Sequence, residues 1–147
     1  MPAYADIYVL SSDRTVACAV RFLDRFLPRR AQTADEFEIP QYAETPDVVH
    51  PNALPVMERC CREHSLPYNL YWRALDGRKP GYAMILYLVD GTVVYGLSTE
   101  EDDGALALRL LQEIQAFLSS SEGFIGHEAT PSFDTAEQFR RIMAEES

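Results

Sequence analysis

Hydrophobic and polar positions form their clearest pattern over residues 82–98, YAMILYLVDGTVVYGLS. Two apolar runs flank Asp90-Gly91, a pair that suits a two-residue type I′ turn. The pattern predicts a β-hairpin in which Leu88 faces Val93. Both faces of this hairpin are apolar, so each needs a cover, either from the chain's own helices or from a partner.

Periodicity elsewhere predicts further strands and four helices. The predicted strands outside the hairpin span residues 4–10, 37–39 and 68–75, with a short edge strand at 124–125, and the predicted helices span residues 14–27, 52–64, 104–118 and 135–145. The order β-α-β-α-β-β-β-α-(β)-α is typical of an α+β fold. We expect one two-layer domain, with a mixed or antiparallel sheet of four to five strands and helices mainly on one face.

Charge is unevenly distributed along the 147 residues, whose net charge is −10. Residues 31–58 hold six acids and no base, and residues 83–147 hold twelve acids and three Arg, whereas residues 1–30 and 59–82 carry net charges of +2 and +3. A negative field repels nucleic acid and anionic membranes and attracts basic partners. The expected partner is therefore a protein, with a basic one favoured, or a second copy in a homodimer. Solubility alone also accounts for such acidity.

Targeting signals are not evident in the sequence. The longest apolar run has eight residues, too short for a membrane span, and the N-terminus lacks the pattern of a signal peptide. Three cysteines, two of them adjacent, indicate no disulfide framework. Twelve of the thirteen basic residues are Arg, which favours a GC-rich genome. We expect a cytoplasmic bacterial protein.

Motifs for catalysis or cofactor binding are missing from the sequence. Cys60, Cys61 and His64 share one helix face, but zinc needs further ligands that nothing nearby supplies. The pair His127-Glu128 is either an acid–base site or part of a solvated loop. The sequence therefore predicts no catalytic residue, no metal and no cofactor.

Aromatic residues give the first candidate binding surface. Tyr71 and Arg73 share one face of their strand, and Tyr8 lies with Asp6 on one face of the first strand. If these faces coincide with the hairpin face that bears Tyr87, one surface combines Tyr and Arg, the residue types of interface hot spots. The alternative is a second, partly polar core layer beneath residues 29–51.

An acidic run gives the second candidate. Glu100, Glu101, Asp102 and Asp103 directly precede the helix predicted from Gly104. The helix dipole favours one or two acids there, so the others are available to contact a partner. The predicted protein-binding residues are Tyr8, Tyr71, Arg73, Tyr87, Glu100, Glu101, Asp102 and Asp103.

Three functional hypotheses fit these features. The first is a small acidic binding protein without catalytic activity, an inhibitor or a protein that resembles immunity proteins in size, acidity and lack of catalytic motifs. The second is a secretion-type chaperone whose apolar sheet face holds an extended client. The third is a small enzyme or ligand-binding domain with a site built from scattered residues such as Asp6, Arg73 and His127.

Overall fold

The computed structural model describes residues 4–100, 104–127 and 131–146. In this part of the chain the elements are β1 (Tyr4–Ser11), α1 (Val16–Phe26), β2 (Arg30–Gln32), β3 (Phe37–Ile39), β4 (Val48–His50), α2 (Ala53–Arg62), β5 (Tyr68–Ala74), β6 (Tyr82–Tyr87), β7 (Val93–Glu100), α3 (Gly104–Leu118), β8 (Gly123–Gly126) and α4 (Ala136–Glu146). None of the described helices is long and apolar enough to cross a membrane.

The strands form two antiparallel sheets. Six strands make the main sheet in the order β2-β5-β6-β7-β1-β8, and β3 pairs with β4 in a separate small sheet. The predicted α+β class is confirmed, although the main sheet has six strands rather than four to five. The prediction missed the three-residue strands β2 and β4, although it included β3, which has the same length.

The helices divide unequally between the two faces of the main sheet. Helices α1, α2 and α3 pack on the first face, over a core that includes Ile7, Phe22 and Tyr95. Helix α4 packs on the second face, against a smaller core that includes Tyr8 and Leu86. The prediction of helices mainly on one face is thus confirmed.

Residues 29–51 do not form a layer over the whole second face: within this segment, residues 40–42 reach its edge and line a cavity with Tyr71. Strand β2 extends the sheet edge, and Phe37 and Ile39 of β3 are buried in the core of the first face. A hydrogen bond joins β3 to β5, because the Tyr68 hydroxyl donates to the Glu38 carbonyl at 2.9 Å. The second face is therefore covered by α4 alone among the described helices.

The β6–β7 hairpin has a three-residue loop, so the predicted two-residue turn is wrong. Tyr87 pairs with Val93, and the Leu88 amide donates to the Thr92 carbonyl at 3.0 Å. Gly91 closes the loop with φ of +89°, as in the common three-residue hairpin. The shift of one residue moves the β7 side chains to the opposite face relative to β6.

Tertiary contacts hold this longer loop. The Val89 amide donates to the Asp134 carbonyl at 3.0 Å, and the Asp90 carboxylate accepts from the Ala136 amide at 2.8 Å. Both partners lie at the start of α4, distant in sequence. The loop thus anchors α4 on the second face, which the local sequence could not reveal.

Candidate functional site

Helix α4 covers only half of the second sheet face. Phe133 and Phe139 contact the rings of Tyr8 and Phe124 on one side of the sheet. The strand register places the other side chains of the second face outside this aromatic cluster. We call the half that no described helix covers the open face and define it by Tyr4, Asp6, Tyr71, Arg73 and Tyr82.

Three tyrosines of the open face are exposed to solvent. Tyr4, Tyr71 and Tyr82 are 40%, 37% and 41% exposed. The rings of Tyr4 and Tyr82 meet edge to face, with centroids 6.2 Å apart. Arg73 is exposed as well and lies opposite Tyr82 in the register of β5 and β6. Large rings with polar tips beside an arginine are typical of protein-binding surfaces.

The phenol groups near Asp6 are held in their protonated form. Burial, reinforced by the Asp6 carboxylate, raises the pKa of Tyr8, whose hydroxyl donates to Asp6 Oδ2 at 3.4 Å. Burial also raises the pKa of Tyr71, with smaller contributions from Tyr42 and Asp6. These hydroxyls are therefore neutral near neutral pH, so they act as hydrogen-bond donors and not as bases.

A cavity adjoins the open face at Tyr71. It has a volume of about 470 Å³ and is walled by aromatic, prolyl and aliphatic residues that include Tyr42, Tyr68, Tyr71, Leu88 and Phe133. We call it the Tyr71 cavity. Its volume lies within the range of about 300–1,000 Å³ that is typical of ligand pockets.

Tyr42 stands at the rim of the Tyr71 cavity in an unusual backbone conformation. Its φ is +64°, in the left-handed region, and its side chain is 78% exposed. Left-handed tyrosine is uncommon, and such backbone outliers cluster at binding sites. The neighbouring Gln41 fixes this wall, because its side-chain amide donates to the Asn69 carbonyl at 2.9 Å and accepts from the Asn69 amide at 2.8 Å.

The lining of the Tyr71 cavity bears a carboxylate, Asp134, while the buried Arg14 guanidinium lies behind its wall and donates to the Leu66 and Leu88 carbonyls. Among the described lining residues, Asp134 is the one ionisable acid and no Lys, Arg or His is present. Tyr42 lies within residues 31–58, which carry six acids and no base. An aromatic wall in a negative field favours a cationic group through cation–π and Coulomb attraction.

The structure brings together some of the predicted site residues and separates others. Tyr8, Tyr71 and Arg73 share the second face, but Tyr8 is buried beneath Phe133. Tyr87 points to the first face, since it pairs with Tyr68, and is buried under the Arg14 guanidinium. The predicted coincidence of faces thus holds for four residues, since Asp6 also lies on the second face, and is wrong for Tyr87.

The acidic run is described in part. Glu100 lies at the end of β7, and its carboxylate is 3.7 Å from Lys79 Nζ. Glu101, Asp102 and Asp103 lie outside the described residues. The contribution of these four acids to binding stays a prediction.

Sequence reasoning missed Tyr4, Tyr42 and Tyr82. Tyr4 could have been included from the sequence, because alternation along β1 places it on the same face as Asp6 and Tyr8. Tyr82 could be assigned to the site only from the pairing of β5 and β6, which places it opposite Arg73. Tyr42 gives no sequence signal, because its position depends on the loop between β3 and β4.

Two of the residues considered for chemistry, Asp6 and Arg73, lie far apart, and Glu128 of the pair His127-Glu128 lies outside the described residues. Asp6 and Arg73 are separated by β6 and β7, and three strand spacings put them about 14 Å apart. Burial raises the pKa of Cys60 to about 12, so its thiol stays protonated near neutral pH. Within the described ranges, no group of three or more His, Cys, Asp or Glu residues could hold a metal ion.

Comparison with known proteins gives no relative: no family model, no curated protein and no solved structure matches the chain. The open face and the Tyr71 cavity are therefore the features of the molecule that indicate a function.

Proposed function

We propose that this protein binds another protein through the open face and the Tyr71 cavity, as an inhibitor or immunity-type protein does. One observation carries the proposal: three tyrosines and Arg73 remain exposed on half of a sheet face, beside a large aromatic cavity. Tyr71 belongs to both surfaces. A partner that contacts Tyr71 therefore contacts the flat open face and the concave cavity together.

The proposed partner presents a basic side chain to the Tyr71 cavity. Tyr42, Tyr71 and Phe133 supply aromatic walls, and Asp134 supplies a negative charge. A lysine or arginine side chain buries its aliphatic stem against such walls while its charged end faces the acid. The acidic segment 31–58 adds long-range attraction during the approach.

Arg73 and Asp6 give the open face one charge of each sign. They lie in the same cross-strand row, Arg73 on β5 and Asp6 on β1, with Tyr82 and Ser98 between them. Opposite charges at fixed separation select a partner with the complementary arrangement and fix its orientation. This row thus serves specificity, while the tyrosines supply contact area.

Single substitutions test the proposal against the partner that the tagged protein retains from cells of its source organism. We expect Tyr71→Ala and Arg73→Ala each to weaken this association by about 2 kcal/mol or more, close to 30-fold in Kd. Tyr42→Ala should also weaken it, because the exposed ring forms the cavity rim. Leu108→Ala, at an exposed position of α3, is the control and should leave Kd unchanged. Calorimetry or surface-plasmon resonance measures each value.

Melting temperatures and salt dependence complete the test. If Tyr71→Ala and Arg73→Ala lower the melting temperature sharply and leave Kd unchanged, these residues form a core layer and the proposal is wrong. For a basic partner the association rate should fall as salt rises, since the Debye length shortens from about 10 Å at 0.1 M to about 3 Å at 1 M. If light scattering instead shows that the retained partner is a second copy of the chain, the basic-partner proposal fails.

A further inference from the structure

A second cavity lies between the end of α1, the loop that joins β5 to β6, and α3. Its volume is about 260 Å³. Five cationic and two acidic side chains line it, which gives the described lining a net charge of +3: Arg25, Arg29, Arg78, Lys79, Arg109, Asp76 and Glu113. We call it the basic cavity. This concentration of positive charge is unexpected in a chain with a net charge of −10.

Internal ion pairs account for only part of the cluster, in which Lys79 Nζ lies 3.7 Å from the Glu100 carboxylate and two arginines have loosely placed acidic partners. Arg78 Nε is 3.7 Å from Asp76 Oδ2, and Arg109 Nε is 4.0 Å from Glu113 Oε1. Both separations exceed hydrogen-bond length, and such exposed pairs contribute little. No carboxylate of the described residues pairs with Arg25 or Arg29. The guanidinium donors of Arg25, which lies over the Phe26 ring, and of Arg29 are therefore available to a ligand.

Helix geometry explains at most one of these cations. Arg25 lies in the last turn of α1, where the helix dipole favours positive charge. Arg29 lies beyond the helix, and its carbonyl accepts from the Leu75 amide at 2.9 Å. This bond joins the chain before β2 to the end of β5, so it brings Arg29 close to the loop that bears Arg78.

The floor of the basic cavity is apolar. Phe26, Leu106 and Leu110 line it below the cationic rim, together with Pro28 and Pro80. Phe26 and Leu110 are buried. A ligand here meets charged donors at the rim and hydrocarbon beneath, which suits a molecule with an anionic group attached to a small apolar or planar body.

We propose that the basic cavity binds a small molecule bearing a diphosphate group. Guanidinium groups donate paired hydrogen bonds to phosphate oxygens, so several arginines together favour more than one phosphate. A terminal phosphate carries about 1.5–2 negative charges at pH 7, and the inner phosphate adds one more. Arg25, Arg29, Arg78 and Arg109 supply the guanidinium groups that face this negative charge. The basic cavity adjoins the open face at the β5–β6 loop, since Arg78 and Lys79 line a third cavity together with Tyr4, Arg73 and Tyr82. Arg25 and Arg29 lie outside that third cavity, so variants at these two positions test this proposal apart from the proposed function.

Titration with inorganic pyrophosphate tests the proposal directly. Calorimetry at constant ionic strength should show saturable binding, and pyrophosphate should raise the melting temperature, because a ligand that binds the folded state stabilises it. Inorganic phosphate should bind at least about tenfold more weakly, since it offers fewer oxygens to the arginine forks. Amide chemical shifts should change at Leu106 and Leu110.

Charge-removing variants locate the site. Arg25→Gln combined with Arg29→Gln should weaken pyrophosphate binding at least about tenfold, since each removes a charge-assisted contact. Arg21→Gln, at an exposed position of α1 outside the cavity lining, is the matched control and should bind as the wild type does. Absence of saturable binding in the wild-type protein, or equal losses in the double variant and the control, would overturn the proposal. Arg78→Gln, in the β5–β6 loop, gives a second test if the double variant does not fold.

Discussion

Arg14 is buried without a carboxylate partner. It is 5% exposed, and its guanidinium donates to five backbone carbonyls, those of Cys60, Glu63, Leu66, Leu88 and Thr92, at 2.7–3.2 Å. The first two carbonyls lie at the C-terminal end of α2, where the helix dipole is negative. A buried charge is costly unless its donors are satisfied, and here backbone oxygens satisfy them. One side chain thus links the start of α1, the end of α2 and the β6–β7 hairpin.

Replacing this side chain should destabilise the fold strongly. We expect Arg14→Met to lower the free energy of unfolding by about 3 kcal/mol or more, because it leaves buried carbonyls without donors. Arg21→Met changes an exposed arginine of α1 in the same way and should have an effect below about 0.5 kcal/mol. Urea denaturation measures both values. Equal effects in the two variants would mean that the Arg14 hydrogen bonds contribute nothing net.

At the scale of elements, α4 and the hairpin loop depend on each other. The loop anchors the start of α4 through Asp90, and α4 buries the hydrophobic part of the hairpin that faces it. Thr135 precedes the helix and caps it, because its hydroxyl accepts from the Gln138 amide at 3.2 Å. The position where α4 ends its cover of the sheet sets the boundary of the open face.

Phe139 is the side chain through which α4 holds the second face. It is fully buried, with ring centroids 5.1 Å from Phe124 and 5.2 Å from Phe133. We expect Phe139→Ala to cost about 3–5 kcal/mol, the usual penalty for removing a buried phenylalanine. Arg141→Ala, at an exposed position of the same helix, should cost less than about 1 kcal/mol. Thermal denaturation compares the two, and a loss below about 1 kcal/mol for Phe139→Ala would show that α4 is not essential to the fold.

At the scale of the whole molecule, folding sorts charge into separate regions. The basic segments 1–30 and 59–82 meet at the basic cavity, which takes Arg25 and Arg29 from the first and Arg78 and Lys79 from the second. The acidic segment 31–58 supplies one wall of the Tyr71 cavity. The two proposed sites therefore have opposite polarity and select different ligands.

The buried thiol and phenol groups predict how the stability of the fold depends on pH. Burial raises the pKa of Cys60 to about 12 and also raises the pKa values of Tyr8, Tyr68, Tyr87 and Tyr95. The ordinary values are 9.0 for the thiol and 10.0 for the phenol. The folded state thus holds protons that the unfolded state releases, so stability is fully present below the unfolded pKa values and declines as pH rises above them.

Urea denaturation across this window measures the effect. The midpoint should fall between about pH 8 and about pH 11 at constant ionic strength. Tyrosine ionisation, followed by ultraviolet difference spectra, should accompany unfolding for the buried phenols. A midpoint that stays constant over the same window would contradict the raised pKa values.

The sequence of each single strand was enough to predict much of the candidate site. Alternation of side chains fixed that Tyr71 shares a face with Arg73, and Tyr8 with Asp6, because successive strand residues point to opposite sides. The pairing between strands could not be predicted from the sequence. A single extra loop residue, Val89, shifted the hairpin register and changed which side chains share a face.

Local pattern determined the four helices, the long strands and the α+β class, because backbone periodicity and capping act over a few residues. Tertiary structure alone decided the sheet order, the loop length at Gly91, the face that α4 covers and the meeting of distant arginines at the basic cavity. These features depend on contacts between residues far apart in the chain, such as Asp90 with Ala136. Such contacts follow from packing the whole hydrophobic core at once, so no local pattern contains them.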